Sequence, residues 1–136
     1  MRLEVTRRAD LAVRAMVLLG STSHRWKAPA LADALDTSTG FVPQVVGPLV
    51  KAGWVGSEPG PTGGYTLAVA LSDVSVLQVV EAVDGPTDMG RCVVEARECR
   101  SEQPCSLHHA WSGARQELMS RLAATPLSSL AQVTRS

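Results

Sequence analysis

The chain has no run of eighteen apolar residues and no apolar segment behind a basic N-terminal start, so neither a membrane span nor a secretory leader is expected. It has only three cysteines, an odd number confined to residues 92–105, which argues against a structural disulfide and fits a reducing, cytosolic setting. Formal net charge is zero. Seven Lys and Arg stand against five Asp and Glu in residues 1–65, and six against eight in residues 66–136. The first half is therefore the more basic, by too little to establish a nucleic-acid partner. Internal repeats and low-complexity stretches are absent too, and 136 residues suffice for one compact core plus a small protruding element.

Helical periodicity dominates what is there. Thr6 to Leu19 reads as a helix capped by Thr6 and stopped by Gly20, with Ala9, Ala12, Val13, Met16 and Leu19 on one face and Arg7, Asp10 and Arg14 on the other. A short helix over Pro29–Leu35, the polar turn Asp36-Thr37-Ser38-Thr39 and a third helix from about Gly40 to Ala52 give helix, turn, helix. Pro43 is tolerable in a first turn, whereas Pro48 is expected to kink or shorten the third helix. Trp54–Ser57 and Tyr65–Leu67 flank a turn rich in Gly and Pro and read as a two-stranded hairpin, in the position of a wing. A fourth helix follows Ser72, with Ser75 and Gln78 at capping-box spacing and Val76, Val79, Val80 and Val83 as its apolar stripe. Residues 85–104 lack periodicity, and a loop this long in a small domain is usually functional or disordered. A long helix over about Ser106–Ala124 carries Leu107, Trp111, Ala114, Leu118 and Leu122, and a short helix over Leu127–Val133 closes the chain.

The expected fold is mainly α with a small β-hairpin wing: a winged helix-turn-helix over residues 1–72, then dimerisation helices over 73–136 with a cysteine-bearing loop at 86–105. The long helix either folds back on its own domain or pairs with its twin. The homodimer is preferred, because a palindromic double-stranded DNA operator matches protein two-fold symmetry.

In a helix-turn-helix the second helix offers its N-terminal residues to base edges in the major groove. Thr37, Ser38, Thr39, Phe41 and Gln44 occupy those positions. A carboxamide can engage adenine bidentately, making Gln44 the best base reader, while hydroxyls suit phosphate oxygens. Arg7, Arg8, Arg25, Lys27 and Lys51 are candidates for phosphate neutralisation. Gly63 and Gly64 on the wing let backbone N–H groups approach phosphate or the minor groove. The plainer reading makes the hydroxyls helix caps and the cations members of surface pairs such as Asp10 with Arg14.

Cys92, Cys99 and Cys105 with His108 are the other constellation. Three soft thiolates on a loop, ending at a helix start that favours the ionised form, suit an iron–sulfur centre.

Several segments together resemble the Rrf-two family of winged-helix transcriptional regulators. They are the opening Met1-Arg2-Leu3, Ala9–Met16 (Ala-Asp-Leu-Ala-Val-Arg-Ala-Met), Lys51–Val55 (Lys-Ala-Gly-Trp-Val), Gly63–Leu67 (Gly-Gly-Tyr-Thr-Leu) and the three cysteines before a His and a Trp. The resemblance spans residues 1 to about 133. It implies a long helix crossing to a partner subunit and a cluster whose state alters operator affinity in response to nitric oxide, iron, oxygen or redox conditions. Cys92, Cys99 and Cys105 match the cluster ligands. For the fourth, the family offers a His three positions after the third Cys, here His108 and a 2Fe-2S centre, or an Asp in the first helix of the other subunit, here Asp10 and a 4Fe-4S centre. His108 is preferred, being held by the same helix start as Cys105. The chain departs from the family in having six residues between its first two cysteines, Pro59 on the wing and two prolines in the recognition helix.

The expected function is thus an iron–sulfur-sensing regulator acting as a repressor, in the cytoplasm and with no membrane partner. The alternative keeps DNA binding but gives the thiols to zinc or to reversible oxidation. A cysteine enzyme using His108 is not expected, for no orienting residue or oxyanion element accompanies the pair.

Overall fold

The computed structural model describes residues 4–87 and 106–133. Six α-helices and one hairpin are seen among them, in the order α1 (Arg7–Gly20), α2 (Ala28–Leu35), α3 (Val42–Lys51), β1 (Val55–Glu58), β2 (Gly64–Leu67), α4 (Val76–Asp84), α5 (His108–Ala123) and α6 (Leu127–Val133). The mainly helical fold with a small wing is the one expected.

α1 is the centre of the domain. The Thr6 hydroxyl accepts from the Ala9 amide at 3.1 Å, which satisfies one of the amides a helix start leaves open. Leu11, Ala12, Ala15, Met16 and Leu19 are buried along with Ala9 and Val17. That is wider than the single stripe read from the sequence, because α1 packs against α3, α4 and α6. Leu31 and Leu35 from α2, Val42, Val45, Val46 and Leu49 from α3, Val55 from β1 and Val79 and Val83 from α4 join the same core cluster, as does Leu127 at the start of α6.

α2 begins one residue before Pro29 and ends at Asp36, which adopts the left-handed conformation (φ 55°, ψ 50°). A short polar side chain tolerates this better than most residues, and it lets the Thr37 amide close back on the Ala32 carbonyl at 2.9 Å. A 3-10 turn at Thr39–Phe41 then leads into α3. Pro43 lies in the first turn of α3, and Pro48 lies inside the helix, which continues to Lys51. Pro48 thus does not end α3. Its missing N–H would have met the Gln44 carbonyl, and the buried face formed by Val45, Val46 and Leu49 holds the turn instead.

The hairpin is antiparallel, with Val55 opposite Leu67 and Glu58 opposite Gly64. A third segment reaches it: the Trp26 amide donates to the Tyr65 carbonyl at 2.9 Å, and the Tyr65 amide returns the bond to Trp26 at 2.8 Å. The wing is therefore fastened to the chain entering α2.

At α4 the Ser75 hydroxyl accepts from the Gln78 amide (3.1 Å) and the Gln78 carboxamide accepts from the Ser75 amide (2.8 Å), completing the capping box. Ser75→Ala should cost about 1 kcal/mol in chemical denaturation; a loss below experimental error would show that the backbone bridge between Ser75 and Pro126 alone fixes this end. That pairing brings α6 alongside, as the Leu127 amide donates to the Val74 carbonyl and the Val76 amide to the Thr125 carbonyl, both at 2.9 Å. α5 differs from the other long helices. It lies against α4 yet has no buried residue, and Leu118 is 42% exposed.

Candidate nucleic-acid interface

α2, the turn and α3 form the helix-turn-helix, and burial sorts its residues into two faces. Val42, Val45, Val46 and Leu49 face the core, whereas Ser38, Thr39 and Gln44 are exposed and Thr37 is half-buried. Phe41, named with them from the sequence, is half-buried and packs against the core cluster. Its ring therefore anchors the entry to α3 to the domain, which is what a large apolar side chain beside a buried Val42 gains most from.

Four of the five cations grouped as phosphate contacts have partners within the chain; Lys51 lies exposed at the end of α3. The Arg7 guanidinium donates to the Asp36 carbonyl at 3.1 Å, and half-buried Arg8 donates to the Val83 carbonyl. Arg25 donates to the Thr62 carbonyl at 3.0 Å and pairs with Glu58 at 3.0 Å. Lys27 donates to the Pro61 carbonyl. Arg25 and Lys27 thus hold the wing tip from the α2 side, satisfying carbonyls that a Pro- and Gly-rich turn leaves without strand partners.

Gly63 and Gly64 are where backbone meets backbone. A Cβ at Gly63 would lie 2.0 Å from the Glu58 carbonyl oxygen, and one at Gly64, where φ is +140°, would lie 2.8 Å from the Trp26 carbonyl oxygen. The Gly-Gly pair is required by closure of the wing itself. Trp26, which no sequence motif marks, pairs with the wing, stacks on His24 at 5.7 Å and donates its indole N–H to Thr22 at 2.9 Å. A single bridged residue leaves no periodicity to read.

The thiolate constellation is only partly on view. Cys92, Cys99 and Cys105 lie outside the described residues. His108 opens α5, half-buried, with its ring edge-to-face on His109 at 5.1 Å. Asp10 is exposed and sits 4.0 Å from Arg14 one helical turn on. Among the described residues no three His, Cys, Asp or Glu side chains come together as a metal site, and no helix is long and apolar enough to cross a membrane.

A helix-turn-helix whose turn and second helix expose Ser38, Thr39 and Gln44, followed by a wing tied back to the first helix, defines a winged-helix DNA-binding protein. The particular family is then plain: the Rrf2 profile, described as iron-dependent transcriptional regulator, matches residues 5–133, and the chain belongs to that family. It is 35% identical over 124 residues to the HTH-type transcriptional regulator IscR of Vibrio atlanticus, covering 88% of this chain and 68% of the relative. Among solved structures it superposes on CymR, the global cysteine regulator of B. subtilis, with a TM-score of 0.80 at 21% identity, over 97% of this chain and 98% of the other. The fold of T. potens IscR matches with a TM-score of 0.76 at 20% identity, over 97% and 88% of the two chains.

Proposed function

We propose that this transcriptional regulator is a cytosolic repressor that senses redox state, iron or nitric oxide through an iron–sulfur cluster, and that it binds a palindromic operator as a homodimer. The observation that carries the reading is the set of three cysteines leading into α5 in a chain of the iron-dependent regulator family. The donor chemistry fits: three thiolates supply soft ligands, and an imidazole or a carboxylate completes a four-coordinate set. Cys92, Cys99 and Cys105 would hold the group, with His108 at the α5 start as the fourth ligand of a 2Fe-2S centre. Asp10 from the second subunit is the competing donor, for a 4Fe-4S centre. When bound, such a group supplies a reversible change of charge and ligation; the chain's part is to present the ligands and carry the change to the DNA-reading helix.

Anaerobic reconstitution with iron and sulfide tests this. The expected product has sulfide-to-iron charge-transfer absorption and an operator affinity that differs between loaded and stripped protein. Stoichiometric zinc without iron or sulfide in anaerobically purified protein would instead support the zinc or thiol reading. Mössbauer spectra of reconstituted His108→Ala and Asp10→Ala decide the fourth ligand, since loss of either donor alters the site only if that donor is bound.

In this reading residues 1–72 bind DNA, residues 73–136 dimerise, and Gln44 reads a base. Gln44→Ala should relax sequence preference at one operator position, by roughly 1–3 kcal/mol of discrimination, in a binding assay across substituted operators. Uniform loss across all of them would make Gln44 a backbone contact. Support for the dimer comes from α5, whose Ala114 and Leu118 are exposed in the single chain although they belong to one seam. Leu118→Glu is expected to shift the sedimentation coefficient to that of a monomer, and an unchanged dimer would remove α5 from the interface.

A further inference from the structure

Two adjacent arginines open α1, at the end of a helix where acidic side chains are favoured and cations are not. Their placement is accounted for by other helices. Arg7 donates to the Asp36 carbonyl at the left-handed end of α2. Arg8 donates to the Val83 carbonyl at the C-terminal end of α4. Each cation thus sits at the carbonyl end of a neighbouring helix, where positive charge is stabilising. The residue before them completes the set: the Thr6 hydroxyl lies 2.9 and 2.8 Å from the two carboxylate oxygens of Asp84, to which it donates.

These contacts join two places that differ in kind. Val83 and Asp84 close α4, whose last helical bond runs from the Gly85 amide to the Glu81 carbonyl at 2.9 Å, and the following chain is held to the helix by the Thr87 amide on the Glu81 carboxylate at 2.7 Å. Cys92 follows in the sequence eight residues after Asp84. Asp36, by contrast, is the left-handed residue at which α2 ends, ahead of the 3-10 turn that leads into α3.

We infer that Thr6, Arg7 and Arg8 form a strut through which the root of the cysteine loop sets the helix-turn-helix turn. Arg7 is then a positioning residue that acts on α3 through Asp36 and does not neutralise a phosphate. The inference rests on the regulator reading only for what drives the loop. Pull on the end of α4 is delivered to Thr6 and Arg8, and Arg7 passes it on because it lies between them, at the junction of the N-cap and the first turn of α1.

The test uses the full-length protein. In stripped protein, Asp84→Ala should speed amide exchange at Thr37 by about threefold or more while exchange at Leu49 in the core is unchanged. Thr6→Ser, which keeps the hydroxyl, should leave Thr37 as it is. Unchanged exchange at Thr37 in Asp84→Ala, or acceleration at Thr37 and Leu49 alike, overturns the strut. Arg7→Met should weaken operator binding about fivefold with the slope of log affinity against log salt unaltered. A slope smaller by about one marks a lost phosphate contact and overturns the positioning role, as does unchanged affinity. In reconstituted Asp84→Ala the loaded-to-stripped affinity ratio should move toward one with cluster absorption retained, and a wild-type ratio there counts against the strut. If the wild-type chain takes up no iron and sulfide, the cluster reading fails, and the exchange and salt measurements still decide the strut.

Discussion

Gly63→Ala is expected to lower operator affinity at least tenfold, about 1.4 kcal/mol or more, while leaving the helical core folded. The added Cβ would fall 2.0 Å from the Glu58 carbonyl oxygen, 2.5 Å from that of Pro59 and 2.6 Å from the Glu58 carbonyl carbon. All three are backbone atoms, so no side-chain rotation relieves the clash and the hairpin must open. Opening it breaks the Gly63 amide bond to the Gly60 carbonyl (3.0 Å) and displaces the Thr62 carbonyl from Arg25 (3.0 Å). Residues 58–63 contribute nothing to the buried core cluster, which is why the unfolding midpoint should move much less than the affinity. Fluorescence anisotropy on the protein's own promoter fragment measures the first quantity and calorimetry the second. Wild-type affinity would show that the wing tip takes no part in binding.

Leu49→Ala carries the largest expected cost to stability, about 2–5 kcal/mol, from lost burial plus a cavity. Leu49 is fully buried on the inner face of α3 and belongs to the cluster that includes Leu11, Met16 and Val46. Against a total stability of about 5–15 kcal/mol for a small domain, this is a large share. The midpoint should fall on the order of 10 °C. A fall of less than 1 kcal/mol in urea unfolding would mean that α3 shifts inward to fill the space. Such a shift would also move Gln44, and operator affinity would report it.

Element positions were legible from the chain wherever local chemistry decides them. Thr6 capping α1, the Ser75–Gln78 capping box and the Gly-Gly wing tip each act within a few residues, and each is found at its expected place. Faces were less legible. α1 buries more than its apparent stripe because several helices close around it, and Phe41 proved to be attached to the core. The partners of Arg7, Arg8, Arg25 and Lys27 lie 29 to 75 residues away along the chain, and no periodicity encodes contacts of that kind.

By itself, then, the sequence determined the helix-turn-helix, the hairpin, the absence of a long apolar span and the three thiols that single out one loop, because caps, turns and hydrophobic spacing act between near neighbours. Tertiary structure alone decided how those parts are connected: which helix ends the α1 arginines occupy, how Trp26 holds the wing and how much of α5 stays uncovered. Those outcomes depend on which distant backbone carbonyls and apolar faces the packed core brings within reach.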